Sequence, residues 1–74
     1  MVLVQVKVVE RLLTETGKRA LAAVLTDAVV SVEGEHVRRL TWVLVDELRS
    51  GDCGIGGQSL TTEDVRALAA GALL

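Results

Sequence analysis

Two β-favouring segments separated by one long amphipathic helix dominate this sequence, and that order constrains its fold more than any other feature. Val2, Val4, Val6 and Val8 alternate with Leu3, Gln5, Lys7 and Val9, the period-two pattern of a strand with one buried and one mixed face. The pattern predicts a strand over residues 2–9. Thr14 followed by Glu15 reads as an N-cap with an acid in the first turn, and Leu12 and Leu13 are placed to staple the entry. From there Ala20 and Leu21, Val24 and Leu25, Ala28 and Val29, then Val32 recur every four residues, predicting an amphipathic helix of four to five turns that ends at Gly34. Leu40-Thr41-Trp42-Val43-Leu44-Val45 is a continuous apolar run, predicting a second strand covered on both faces, so that the unit is β-α-β with a parallel crossover.

The remainder is short. Four glycines fall in seven positions between Gly51 and Gly57, which predicts tight turns around a small hairpin. Thr61-Thr62-Glu63-Asp64 then opens a last helix with a capping box, with Val65, Leu68 and Ala69 on its apolar side. The fold class expected is α/β (α+β): one domain over residues 1–74, a β-α-β subunit with a C-terminal hairpin and a short helix.

Such a unit cannot close a core, because a two-stranded sheet covered on one face leaves the other bare. A chain of 74 residues gains only roughly 3–5 kcal/mol from its own core without a staple. Cys53 is the single cysteine and His36 the single histidine, so an intrachain disulfide is impossible and no zinc-type ligand set assembles. Association remains. Pairing with a second subunit would give a four-stranded sheet carrying two helices, and further packing would build a ring.

Charge and composition exclude several functions. A net charge of −2 and a pI near 5.2 leave no positive excess for phosphate-backbone binding. Trp42 is the only aromatic, so there is no stacking platform for bases. The apolar start, Met1 to Val9, is broken by Gln5 and Lys7 and is too short for about 30 Å of hydrocarbon. The expected address is the cytoplasm, where Cys53 stays reduced. No nucleic acid, membrane or metal partner is expected.

Gly54-Ile55-Gly56-Gly57 is not followed by the Lys-Ser/Thr of a phosphate loop and reads as a turn. Cys53 and His36 form a nucleophilic dyad only in principle, and a lone cysteine in such a turn is ordinarily packing. Arg38 and Arg39, at the entrance to the second strand, read either as a solvated charge pair or as a dianion clamp at a subunit boundary.

A set of segments taken together resembles the 4-oxalocrotonate tautomerase family over nearly the whole chain. They are Leu3-Val4-Gln5-Val6-Lys7-Val8, Glu10, Thr26-Asp27-Ala28, Thr41-Trp42-Val43 and Glu47. With them go Ser50-Gly51-Asp52, Gly54-Ile55-Gly56-Gly57, Leu60-Thr61-Thr62 and the run from Asp64 to Ala70. The resemblance implies a β-α-β subunit pairing into dimers and assembling as a trimer of dimers. It implies an isomerase without cofactors, in which an amino-terminal proline moves a proton between carbons of an unsaturated 2-oxo acid and arginines bind the carboxylates. This chain departs from that pattern where the chemistry is centred, since Val2 occupies the position of the proline. Cys53 stands where relatives carry an aromatic pocket wall, and Trp42 where the founding enzymes have an arginine. Arg11 sits about one residue early for the arginine after the first strand. Arg39, Arg38 and Arg11 are the candidate substrate-binding residues, and Trp42 and Cys53 the candidate pocket walls. The resemblance thus points to a subunit that lends scaffold and arginines to a proline-bearing paralogue in a mixed hexamer acting on a small dianion such as 2-hydroxymuconate. The alternative is a homo-oligomer that has lost chemistry and persists as a binding or structural module.

Overall fold

A computed structural model describes residues 1–71. β1 (Val2–Val9) leads to α1 (Glu15–Glu33), a 3-10 turn (Glu35–Leu40) and β2 (Thr41–Leu48). The hairpin β3 (Cys53–Ile55) and β4 (Gln58–Leu60) follows, then α2 (Thr62–Ala69). β1 and β2 lie parallel, from Val2 opposite Thr41 to Val9 opposite Leu48, and α1 crosses between them, as the strand-helix-strand order predicts.

The local signals act as the sequence suggests. Thr14 caps α1 by accepting the Gly17 amide at 3.0 Å, and Gly34 closes it at φ 103° while donating to the Val30 carbonyl, a backbone angle that favours glycine. Thr61 and Asp64 form the reciprocal capping box of α2. β2 starts one residue later than the apolar run, since the 3-10 turn takes Leu40, and continues to Leu48. Asp46 and Glu47 remain in the strand because Lys7 and Val8 of β1 supply their register partners.

The second strand and the helix differ from expectation: β2 is covered on one face within this chain and not on both, because only one helix packs on the sheet and Trp42 and Leu44 stay exposed. In β1 the even-numbered valines are half-buried while Leu3, Gln5 and Lys7 are exposed and Val9, at the strand's end, is buried, and in β2 Thr41, Val43 and Val45 are half-buried. Within this chain the other face of the sheet is uncovered, leaving Leu3, Trp42 and Leu44 exposed. In α1 the half-buried positions are Gly17, Lys18, Leu21, Ala22, Leu25, Thr26, Val29 and Val30, while Ala20, Val24, Ala28 and Val32 are exposed. The apolar stripe is thus wider than the two strands beneath it, and they cover only one edge of it.

The core is correspondingly small. Val9 and Leu60 are the buried apolar side chains among the described residues. The accessible surface of 5328 Å² exceeds by about a fifth the roughly 4,400 Å² expected of a folded monomer of this mass. The radius of gyration is 15.0 Å, with extents of 43 × 21 × 20 Å, against about 11 Å for a compact chain of this length.

Polar contacts tie the far end together. Thr62, fully buried, donates its hydroxyl to the Glu10 carbonyl at 2.8 Å and its amide to Ser50 Oγ at 3.0 Å. The Ser50 amide donates to the Glu10 carboxylate at 3.0 Å, and the Glu10 amide to the Leu48 carbonyl at 2.6 Å. One cluster therefore joins the ends of both long strands to the start of α2. Thr62→Val keeps the volume and removes the donor, stranding a shielded carbonyl, and should cost about 1–3 kcal/mol. Denaturant midpoints at one fixed protomer concentration measure it, and a midpoint equal to that of the unmodified chain would refute the role given to this hydroxyl.

Candidate functional site

The parallel pairing sorts the functional candidates between two ends of the sheet. Val2 opens β1 and Thr41 opens β2 opposite it, so Val2, Arg38, Arg39 and Trp42 gather at one end. Arg11 follows β1 and Cys53 follows β2, which places them at the other. An eight-residue strand, about 26 Å long, separates the two groups. One chain does not bring the six residues together.

At the first end Val2 lies at the base of an apolar groove of about 340 Å³ that it lines with Ala28, Val29, Val32 and Glu33. Met1 is exposed beside it. The lining includes Glu33 and no arginine. Trp42 projects from the opposite face of the sheet, next to Leu3 and Leu44, so it does not wall this groove within the same chain.

The two neighbouring arginines have separate environments. Arg38 donates from Nε to Glu35 Oε1 at 2.7 Å and from Nη1 to Asp27 Oδ1 at 2.8 Å. These bonds to Glu35 and then Asp27 raise its pKa further above the ordinary arginine range, and the Arg38 bond lowers that of Glu35. Arg38 thereby fastens the 3-10 turn to α1. Arg39, beside it, is exposed and has no ion pair among the described residues, so its five donors are free for a ligand. His36 is exposed in the same turn.

At the second end Arg11 adopts φ 63°, an uncommon angle for a residue with a Cβ. Its guanidinium lies 3.7 Å from Glu63, and its carbonyl accepts from Arg66. Cys53 is a free, half-buried thiol paired in register with Leu60. Among the described residues no group of three His, Cys, Asp or Glu converges as a metal site.

Two groups in these regions escape a reading of the sequence. Lys18 joins Glu47 at 2.6 Å and Glu15 at 3.0 Å, linking α1 to the end of β2. The Glu15 partner is legible from its i, i+3 spacing, whereas the Glu47 partner needs the crossover. Glu33, on the groove, has as its sole signal its place before the terminating glycine.

A family model described as "Tautomerase enzyme" matches residues 3–63. The chain belongs to the tautomerase family. The crystal structure of apo unFused 4-OT is similar, with a TM-score of 0.72 and 30% identity over 80% of this tautomerase chain and 93% of that one. That of YwhB, a homologue of 4-oxalocrotonate tautomerase, gives a TM-score of 0.69 and 27% identity over 84% and 95%. DmpI from Helicobacter pylori gives 0.67 and 27% over 77% and 92%. No curated protein matches the chain. The β-α-β subunit with its C-terminal hairpin and helix is therefore the tautomerase fold, and the family's general activity is that of an isomerase.

Two outcomes follow from the ion pairs of this tautomerase. Arg38→Ala should speed amide hydrogen exchange across residues 35–40, whereas Arg39→Ala should leave that exchange and the melting temperature unchanged. Equal effects would mean that the two arginines share one role. The Lys18 bond holds the Glu47 carboxyl below the usual carboxylate range, and the Glu47 and Glu15 bonds hold Lys18 above its own. The Glu47 contribution is therefore present above about pH 4.3 and lost as pH falls through its lowered value. The Lys18 contribution is present below about pH 10.4 and lost as pH rises through its raised value. Glu47→Gln should flatten both limbs of the stability-pH curve, and a curve parallel to that of the parent chain would count against the pair.

Proposed function

We propose that this chain is a subunit of a 4-oxalocrotonate tautomerase-type isomerase and lends scaffold and an arginine to a proline-bearing partner subunit in a hexameric trimer of dimers. The observation that carries the reading is the pairing of a tautomerase fold with a sequence that contains no proline, Val2 standing at the groove instead. Valine has no pyrrolidine ring, so that position supplies no proline-type secondary amine. The partner's amine takes a proton from one carbon of the unsaturated 2-oxo acid and returns it to another, leaving substrate and product isomeric. Between the two transfers the negative charge rests on a dienolate, and a preorganised cation beside it lowers the barrier most.

Arg39 is the residue we assign to that charge. It stands on a turn held in place by Arg38, its guanidinium is uncommitted, and its planar donors match a carboxylate. Arg11 is the second candidate, since an exposed residue at the opposite end of the sheet reaches a site only in a neighbouring subunit. Trp42 and Cys53 would wall such a composite site from one chain into the next. Glu33 supports the same division of labour, because an acidic residue bordering this chain's own groove disfavours a dianion there and leaves turnover to the partner's groove.

Co-purification with the proline-bearing paralogue, followed by ultraviolet loss of 2-hydroxymuconate, tests the assignment. The mixed assembly should turn over and this chain alone should not, and Arg39→Ala in this subunit should lower kcat about a hundredfold. Full turnover by this chain alone, or by a mixed assembly indifferent to Arg39→Ala, would overturn it. Inactivity of every combination would instead favour a family member that has lost chemistry and serves as a homo-oligomeric module.

A further inference from the structure

Among the described residues Arg11 alone, glycines aside, has a left-handed backbone, at φ 63°. That angle crowds Cβ against the chain, and a residue keeps it only where its surroundings impose it. α2 supplies those surroundings. Thr62 donates its buried hydroxyl to the Glu10 carbonyl at 2.8 Å, Arg66 donates from Nη2 to the Arg11 carbonyl, and Glu63 lies 3.7 Å from the Arg11 guanidinium. On the strand side the Leu12 amide donates to the Val9 carbonyl at 3.3 Å, and the Val9 side chain is buried.

Two consecutive carbonyls, those of Glu10 and Arg11, are thus taken by side chains of one helix. The strand itself ends earlier, at the register pair of Val9 with Leu48 and the bond from the Glu10 amide to the Leu48 carbonyl. What the Arg66 bond fixes is the direction in which Arg11 leaves the chain. A change of φ from the left-handed to the ordinary region swings the Cα–Cβ bond and carries the guanidinium with it. The Arg11 side chain stays 58% exposed, so α2 orients it without burying it. The family match ends at residue 63, which leaves Arg66 outside the segment that the family model describes.

We propose that Arg66 is a positioning residue for Arg11: its bond to the Arg11 carbonyl holds the left-handed turn that points the guanidinium at a carboxylate of the dianion bound in a neighbouring subunit. This rests on the substrate role given above to Arg11, with Arg39 serving the dienolate. Glu63 steadies the guanidinium until the ligand's carboxylate takes its place. The turn is ordered during folding, so nothing of its backbone remains to be fixed when the dianion arrives. A carboxylate remote from the reacting carbons is bound alike in substrate and transition state, so loss of aim appears in KM and not in kcat.

Two measurements test the proposal, and they fail separately. In this chain alone, at one fixed protomer concentration, Arg11→Gly relieves the left-handed angle and should raise the melting temperature by about 2–5 °C. In an Arg66→Ala background, where the turn is free to relax, the same change should give no rise. Equal shifts in the two backgrounds would show that Arg66 does not hold the angle and would overturn the proposal. In the mixed assembly acting on 2-hydroxymuconate, Arg66→Ala should raise KM about tenfold and leave kcat within about twofold. Arg66→Lys, which keeps a donor, should restore KM, and Arg66→Ala should change nothing further once Arg11 is replaced by alanine. A KM raised by Arg11→Ala but not by Arg66→Ala would overturn the positioning role alone. A KM indifferent to Arg11→Ala would remove Arg11 from substrate binding, and the proposal with it, whatever the melting temperatures show.

Discussion

Burial of one sheet face against one helix is the constraint from which the rest of this molecule follows. Two parallel strands offer α1 a surface barely wider than a helix, and the even-numbered valines of β1 with Thr41, Val43 and Val45 fill it. That contact leaves the residues it joins only half-buried; the buried apolar side chains among the described residues, Val9 and Leu60, lie at the far end of the strand and in the hairpin. The exposed Leu3, Trp42 and Leu44 on one side and Val24 and Val32 on the other are then the consequence of a small enclosed volume in a chain rich in aliphatic residues.

Where apolar burial is thin, hydrogen bonds and ion pairs fix geometry instead. Thr62, Ser50 and Glu10 hold the strand ends together, Lys18 links α1 to β2 through Glu47, and Arg38 links the 3-10 turn to α1 through Asp27. These devices act at opposite ends of the sheet, and the candidate site residues divide in the same way. Parallel pairing imposes that division: both strands start together, so residues before each strand meet at one end and residues after each strand at the other. A site that needs both sets has to be assembled from more than one subunit.

The elements were legible in the sequence because their signals are local. The alternating valines mark β1, Thr14 and Gly34 bound α1, and Thr61 with Asp64 opens α2. The helix face was legible only in part. Leu21, Leu25 and Val29 do turn inward, but neighbouring residues on a wide apolar stripe have equal claim until the width of the sheet is known, and Val24 and Val32 turn out exposed. The family and the absence of proline were readable from motif order. The different environments of Arg38 and Arg39 were not, because the Asp27 that engages Arg38 lies eleven residues away on another element. Glu33 could not be placed on the groove without knowing that the last turn of α1 stands over the start of β1.

The bonds that Arg38 makes reach beyond its own turn. Fastened through two carboxylates, it gives its sequence neighbour a backbone that is already ordered before any anion arrives. The conformational entropy of that segment is given up during folding, so the anion binding proposed for Arg39 would have only a side chain left to immobilise. A flexible loop carrying the same guanidinium would bind more weakly with identical contacts.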